Sequence, residues 1–258
     1  MSRSLLVFAI LMLLGVGGPA ARAVEYERIL LPILIKPFPG AFGTQWRVDT
    51  QMLIDSEERL DIFPLVNCVL CIERFPRRSS FEPPLFLQQP DHPPGAVLHV
   101  QREYADLVRL SLRLRELTRG SAAGVELPVV RERNFFTRTI HILDVPLRLN
   151  SRTTLRVYDV DTRPGTAVRI RFFEPQSTTP LLTLDTAFTL PPTYNPNLSL
   201  NVTPGYIQLN GLEEIYPVLR NIDRIRVEIQ PLSTDLRMWA FISITDDVTQ
   251  QVTLLTPQ

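Results

Sequence analysis

The chain has 258 residues, 45% of them hydrophobic and 21% charged, which is enough apolar material for a buried core and excludes a disordered polymer. Its 27 basic residues balance 27 acidic ones, so there is no basic surface to neutralise phosphates and no nucleic-acid partner is expected. Lys36 is the only lysine and the remaining basic residues are all arginine, spread along the chain without a dense cluster. That spread reads as compositional bias rather than as an anion site.

Residues 1–23 carry Arg3, the apolar run Leu5–Val16 and the small-x-small triplet Ala21-Arg22-Ala23. This pattern predicts a cleaved secretory signal and a mature chain starting near Val24. The run is shorter than the roughly 20 residues a membrane helix needs, and no later segment reaches that length, so no membrane span is expected after cleavage. The protein is therefore expected in the periplasm, on the cell surface or in the medium.

From there the chain reads as β-structure. Trp46, Val48, Thr50, Met52 and Ile54 recur at period two, as do Val108, Leu110, Leu112 and Leu114. Leu155 and Val157 alternate with Arg156 and Tyr158, Val168, Ile170 and Phe172 with Arg169 and Arg171, and Ile225, Val227 and Ile229 with Arg226 and Glu228. Pro164-Gly165, Pro204-Gly205 and Asn210-Gly211 punctuate these runs as turns. Only Leu212–Leu219 has a helical look, and Pro217 limits it to a turn. The expected fold is all-β: two antiparallel β-sandwiches in tandem, immunoglobulin-like or jelly-roll-like, with little helix. The division falls at residues 24–134 and 135–258. Leu31-Pro32 and Leu127-Pro128 read as echoing segments on opening edge strands, where a missing N–H does least harm.

Residues 64–95 stand apart, holding seven of the 23 prolines, both cysteines and His92. Such a segment is either a binding loop or a passive excursion. If it binds, Phe75, Arg77, Arg78, Phe81 and His92 are its contact residues. Cys68 and Cys71 admit a redox pair, free thiols or a local disulfide; an oxidising destination favours the disulfide. A zinc site would need two further ligands that no second Cys or His pair supplies.

Other chemistry-bearing residues read as structural. His99 and His141 occupy alternating strand positions, and no G-x-S-x-G elbow accompanies them. Glu57-Glu58, Glu213-Glu214 and Asp246-Asp247 are adjacent pairs, a spacing that does not flank a sugar cleft. Asp159-Val160-Asp161 begins like a calcium loop, but Arg163 stands where an oxygen ligand would be needed, which leaves a hairpin turn. Trp46 and Trp239 could serve as sugar platforms, yet both sit in phase with apolar strand faces and read as core. No metal and no cofactor are expected.

Several segments together resemble uncharacterised secreted bacterial β-sandwich proteins that carry a PGAFG(S/T)QW-type motif near the mature N-terminus. They are Pro39–Trp46, Leu127–Glu132, Leu155–Asp159, Trp239–Thr245 and Val248–Thr253. The resemblance implies export and β architecture, and no established activity comes with it. The resulting expectation is an exported, non-catalytic binding or cell-envelope interaction protein whose partner is an extracellular protein or glycan. The alternative is a carbohydrate-binding or carbohydrate-active secreted protein, which would need an exposed Trp46 or Trp239 beside carboxylates.

Overall fold

The computed structural model describes residues 25–33, 38–56, 60–63, 72–73, 79–81, 95–118, 124–147, 150–190 and 202–258. The predicted signal segment, Cys68, Cys71, Phe75, Arg77, Arg78 and His92 lie outside them.

In chain order, the strands of the first half are β1 (Tyr26–Leu31), β2 (Phe38–Pro39), β3 (Gln45–Ile54), β4 (Leu60–Phe63), β5 (Ile72–Glu73), β6 (Ser79–Phe81), β7 (Ala96–Gln101), β8 (Val108–Glu116), β9 (Val125–Leu127) and β10 (Val130–Arg131). Those of the second half are β11 (Ile140–Pro146), β12 (Ser151–Asp159), β13 (Ala167–Phe173), β14 (Leu182–Ala187), β15 (Gly205–Leu209), β16 (Arg224–Pro231), β17 (Met238–Asp246) and β18 (Val252–Leu255). A single helical turn, α1 (Leu212–Ile215), and a 3₁₀ turn at Pro217–Leu219 fill the predicted helical site. The chain is all-β, as its periodicity requires.

Four antiparallel sheets result. Sheet I runs β10-β1-β7-β4-β5, sheet II β2-β3-β8-β9 with β6 beside β3, sheet III β15-β12-β17-β18 and sheet IV β11-β16-β13-β14. Ile29, Leu31, Leu98 and Val100 of sheet I meet Val48, Met52, Ile54 and Leu112 of sheet II in one core. Leu155, Val157, Ala240 and Ile242 of sheet III meet Ile142, Ile170, Phe172, Val227 and Ile229 of sheet IV in a second. A third core joins the two sandwiches: Leu30, Val97 and Val130 of sheet I pack on Tyr158, Val160, Trp239 and Phe241.

The stack is therefore four layers deep, in the order II, I, III, IV. The inner sheets are covered on both faces, which explains runs such as Ile29-Leu30-Leu31 and Met238-Trp239-Ala240-Phe241-Ile242 with no polar alternation. The outer sheets show more alternation because one face stays wet. Sheet II's β3 shows this over its whole length, with Trp46, Val48, Thr50, Met52 and Ile54 all inward.

Polar bonds also cross between the sandwiches. Arg28 on β1 donates to Glu132 Oε1 at 2.8 Å, to Asp161 Oδ1 at 2.6 Å and to the Val160 carbonyl at 3.0 Å. Arg237 donates to the same two carboxylates, at 2.6 Å to Glu132 and 2.7 Å to Asp161. Two guanidiniums and two carboxylates thus alternate around a ring. Tyr158 adds a buried hydrogen bond from its hydroxyl to the Pro32 carbonyl.

The edge-strand expectation fails for one Leu-Pro segment and holds for the other. Leu31-Pro32 does not open an edge strand: β1 lies between β10 and β7, and the proline simply follows its end. Leu127-Pro128-Val129 does lie at sheet edges: it crosses from β9, an edge strand of sheet II, to β10, an edge strand of sheet I, so Pro128 falls where neither ladder needs its N–H. The proline-rich segment, moreover, is partly built into the sheets. Its residues 72–73 pair with β4, and Phe81, a predicted contact residue, lies on β6 opposite Met52.

Candidate functional site

Alternation gives sheet III a second face, opposite its core. β12 contributes Arg152, Thr154, Arg156 and Tyr158, β15 contributes Gln208 with Asn210 just past its end, β17 contributes Trp239, Phe241, Ser243 and Thr245, and β18 contributes Val252 and Leu254. At one end of this face the aromatic residues are covered by sheet I. At the other end the cover stops, and a cavity of about 540 Å³ opens between the sandwiches. Its floor is Arg152, Thr154, Arg156, Gln208, Ser243 and Thr245; its opposite wall is Ile33, Pro39, Gly40, Ala41, Trp46 and Leu114.

The wall is a folded turn. Gly40 N–H donates to the Thr44 carbonyl at 2.7 Å, Thr44 N–H returns a bond to the Ala41 carbonyl at 3.2 Å, and the Trp46 indole donates to Thr44 Oγ1 at 3.0 Å. Gly40 is required by proximity: an added Cβ would stand 2.4 Å from Thr44 Oγ1 and 2.6 Å from the indole. Phe42 takes a left-handed backbone (φ 55°), which is unusual for a bulky side chain. It remains exposed, and its ring centroid lies 5.7 Å from the Arg152 guanidinium at the cleft. Gly40→Ala should displace Trp46 and cost about 1–3 kcal/mol, as overpacking does. Urea denaturation checks this together with the tryptophan emission, which should shift to the red.

Arg156 is the unusual group on the floor. Its Nε donates to Gln208 Oε1 at 3.2 Å and its Nη1 to Ser243 Oγ at 2.8 Å, while its Cζ lies 5.6 Å from the centre of the Phe241 ring. All three neighbours are neutral. Among the described residues, no carboxylate lies within ion-pair distance of it. Arg152, by contrast, is neutralised by Asp247 at 2.8 Å. Burial pulls the Arg156 guanidinium below its ordinary pKa, because a charge withdrawn from water without a counter-ion is disfavoured.

The other sequence candidates do not converge here. His99 is buried in sheet I, and His141 faces Glu228 at 3.8 Å on sheet IV. Trp46 and Trp239 are 9% and 5% exposed, so neither presents a free ring face of the kind a sugar platform uses. Asp246 caps the N–H groups of Val248 and Thr249, and Glu213 accepts from Thr153 N–H. Asp159 is fully buried and accepts from the N–H groups of Asp161, Thr162 and Arg163 and from the Thr166 hydroxyl, while Asp161 is held by arginines. The turn is not the expected hairpin: β12 lies in sheet III and β13 in sheet IV, so residues 160–166 cross between the two sheets, and the carboxylates there are spent on N–H, hydroxyl and guanidinium donors.

Reading the arginines as mere composition therefore missed two spatial groupings, the ring around Glu132 and Asp161 and the solitary Arg156. The segments Pro39–Trp46, Leu155–Asp159, Trp239–Thr245 and Val248–Thr253 all contribute to the cleft. No protein family, characterised protein or solved structure matches this chain.

Proposed function

We propose that the chain is an exported, non-catalytic binding or cell-envelope interaction protein whose ligand occupies the cleft between the two sandwiches. The observation that carries the reading is Arg156, a half-buried guanidinium on the cleft floor without a carboxylate partner among the described residues. A structural role would have supplied a counter-charge, as Arg28 and Arg152 each receive. The left-handed Phe42 at the rim fits the same reading, since strained residues gather at ligand clamps. Export is supported by the composition of residues 1–23, and a disulfide between Cys68 and Cys71 would suit that destination.

The cleft takes precedence over residues 64–95 as the contact surface, because part of that segment serves the sheets. The carbohydrate alternative is weakened by the two buried indoles. The test is binding of the full chain to mixed peptide and glycan arrays, with Thr245→Trp as the partner variant. Thr245 is half-buried on the cleft floor, so the indole should fill the cavity, abolish capture and leave the fold intact. Capture that survives this plug would place the contact surface elsewhere, and deletion of 75–94 would then be the next variant.

A further inference from the structure

The hydrogen-bond inventory of the cleft floor specifies a ligand chemistry beyond the presence of a site. Gln208 Oε1 is taken by Arg156 Nε, and Gln208 Nε2 donates to Asn210 Oδ1 at 2.9 Å. The Thr154 hydroxyl donates to the same Asn210 oxygen at 3.4 Å. Ser243 Oγ accepts from Arg156 Nη1 at 2.8 Å. The side-chain carbonyl acceptors of the floor are thus consumed inside it.

What remains is a set of donors. Among the described residues, Arg156 Nη2, the Ser243 hydroxyl proton and the Asn210 amide have no acceptor. Glu214 is exposed at the rim, outside ion-pair distance of Arg156, and Arg152 already has Asp247. A floor that ends in donors around one uncompensated positive charge calls for an anionic group rich in acceptors. The remaining lining includes Ile33, Leu114, Leu127 and Leu254, an apolar wall suited to aliphatic side chains rather than to hydroxyls.

We propose that the cleft receives the C-terminal carboxylate of an extended peptide, one oxygen taking Arg156 Nη2 and the other the Ser243 hydroxyl, with an aliphatic last residue against the Leu114–Leu127–Leu254 wall. This rests on the cleft being the binding site. No bond is made or broken, and Arg156 acts as a receptor for charge. A cavity of about 540 Å³ is of drug-sized-ligand scale and admits only the last few residues of such a chain.

The experiment titrates the full chain with N-acetyl-Ala-Leu-Val as the free acid and as the C-terminal amide, read by calorimetry and tryptophan emission. The wild type should bind the acid at least about tenfold more tightly than the amide, since the amide leaves the guanidinium without a counter-charge. Arg156→Gln should erase that preference while circular dichroism stays unchanged, and Ser243→Ala should reduce it. Equal binding of acid and amide that Thr245→Trp abolishes would overturn the carboxylate assignment and leave the cleft standing. Binding unaffected by Thr245→Trp would overturn the cleft itself. A titration in which a galacturonate trimer binds and neither peptide does would assign the cleft to an acidic glycan instead. Absence of peptide binding up to millimolar concentration would also overturn the proposal.

Discussion

Phe241→Ala is expected to lower the unfolding free energy by about 3–5 kcal/mol, the range for removing a fully buried aromatic ring. Phe241 has no exposed surface and stands where the two sandwiches meet. Its ring stacks on Tyr158 at 6.4 Å between centroids with planes 5° apart, and meets Trp239 at 5.5 Å. Sheets I and III both lose their shared contact when the ring goes, and neighbouring strands cannot close the gap without leaving register. The variant should also loosen Arg156, which lies over the same ring. Equilibrium urea denaturation measures the effect. A loss below about 1 kcal/mol would mean that the two sandwiches do not depend on each other in the way their packing implies.

Arg28→Ala should cost about 2–3 kcal/mol, near the lower end for breaking a buried ion pair, because Arg237 still serves both carboxylates. Arg28 and Asp161 are shielded, with side chains 13% and 9% exposed, so solvent screens their attraction weakly. The contrasting variant is Arg156→Gln, which should change stability by less than about 1 kcal/mol, since it removes an uncompensated charge.

The ring also sets a pH dependence. Burial alone would raise the pKa of Glu132, but hydrogen bonds and charge from Arg28 outweigh it and hold the carboxyl below its ordinary value. Asp161 behaves likewise, with Arg237 and Arg28 outweighing its desolvation. Groups with depressed folded pKa values stabilise the fold above their unfolded values, near 4, and lose that contribution as the pH falls through the folded ones. Asp159 works in the opposite sense: burial raises its pKa, so its contribution is present below the unfolded value and fades as the pH rises through the folded one. The wild type should therefore lose stability on acidification below about pH 4, and Arg28→Ala should lose less, so the two melting curves converge in acid. A gap between them that stays constant from neutral to acid pH would contradict the assignment.

Much of this fold is written in period-two patterns, and what is hidden follows from the same patterns. Val168, Ile170 and Phe172, or Ile225, Val227 and Ile229, announce half-buried strands because one face of sheet IV meets water and the other the core. On β12 the pattern Leu155-Arg156-Val157-Tyr158 looks identical, yet its second face meets another sheet. Local alternation records which residues share a face, and what covers that face is a long-range property. The visible trace was Tyr158, a large aromatic on the nominally polar side, matched by Trp239 and Phe241 two residues apart on one face of β17. Gly40 and Trp46 were recognisable as a turn leading into a strand, but the role of that turn as a cleft wall depends on the second sandwich. Arg156 was concealed for a further reason. Its distinction is to lie on the cleft floor over the Phe241 ring without a carboxylate partner among the described residues, and partners of a strand residue come from β15 and β17, some 50 and 85 residues away in the chain.

The most direct measurement is the Arg156 Nε–Hε resonance in a ¹⁵N–¹H spectrum of the full chain, assigned by its disappearance in Arg156→Gln. If the guanidinium is a ligand receptor, that resonance should shift progressively as the free-acid peptide is added and stay still for the amide. The ion-paired resonances of Arg28 and Arg237 should not move in either titration. An Arg156 signal that ignores the acid, or that moves equally for acid and amide, would contradict the account.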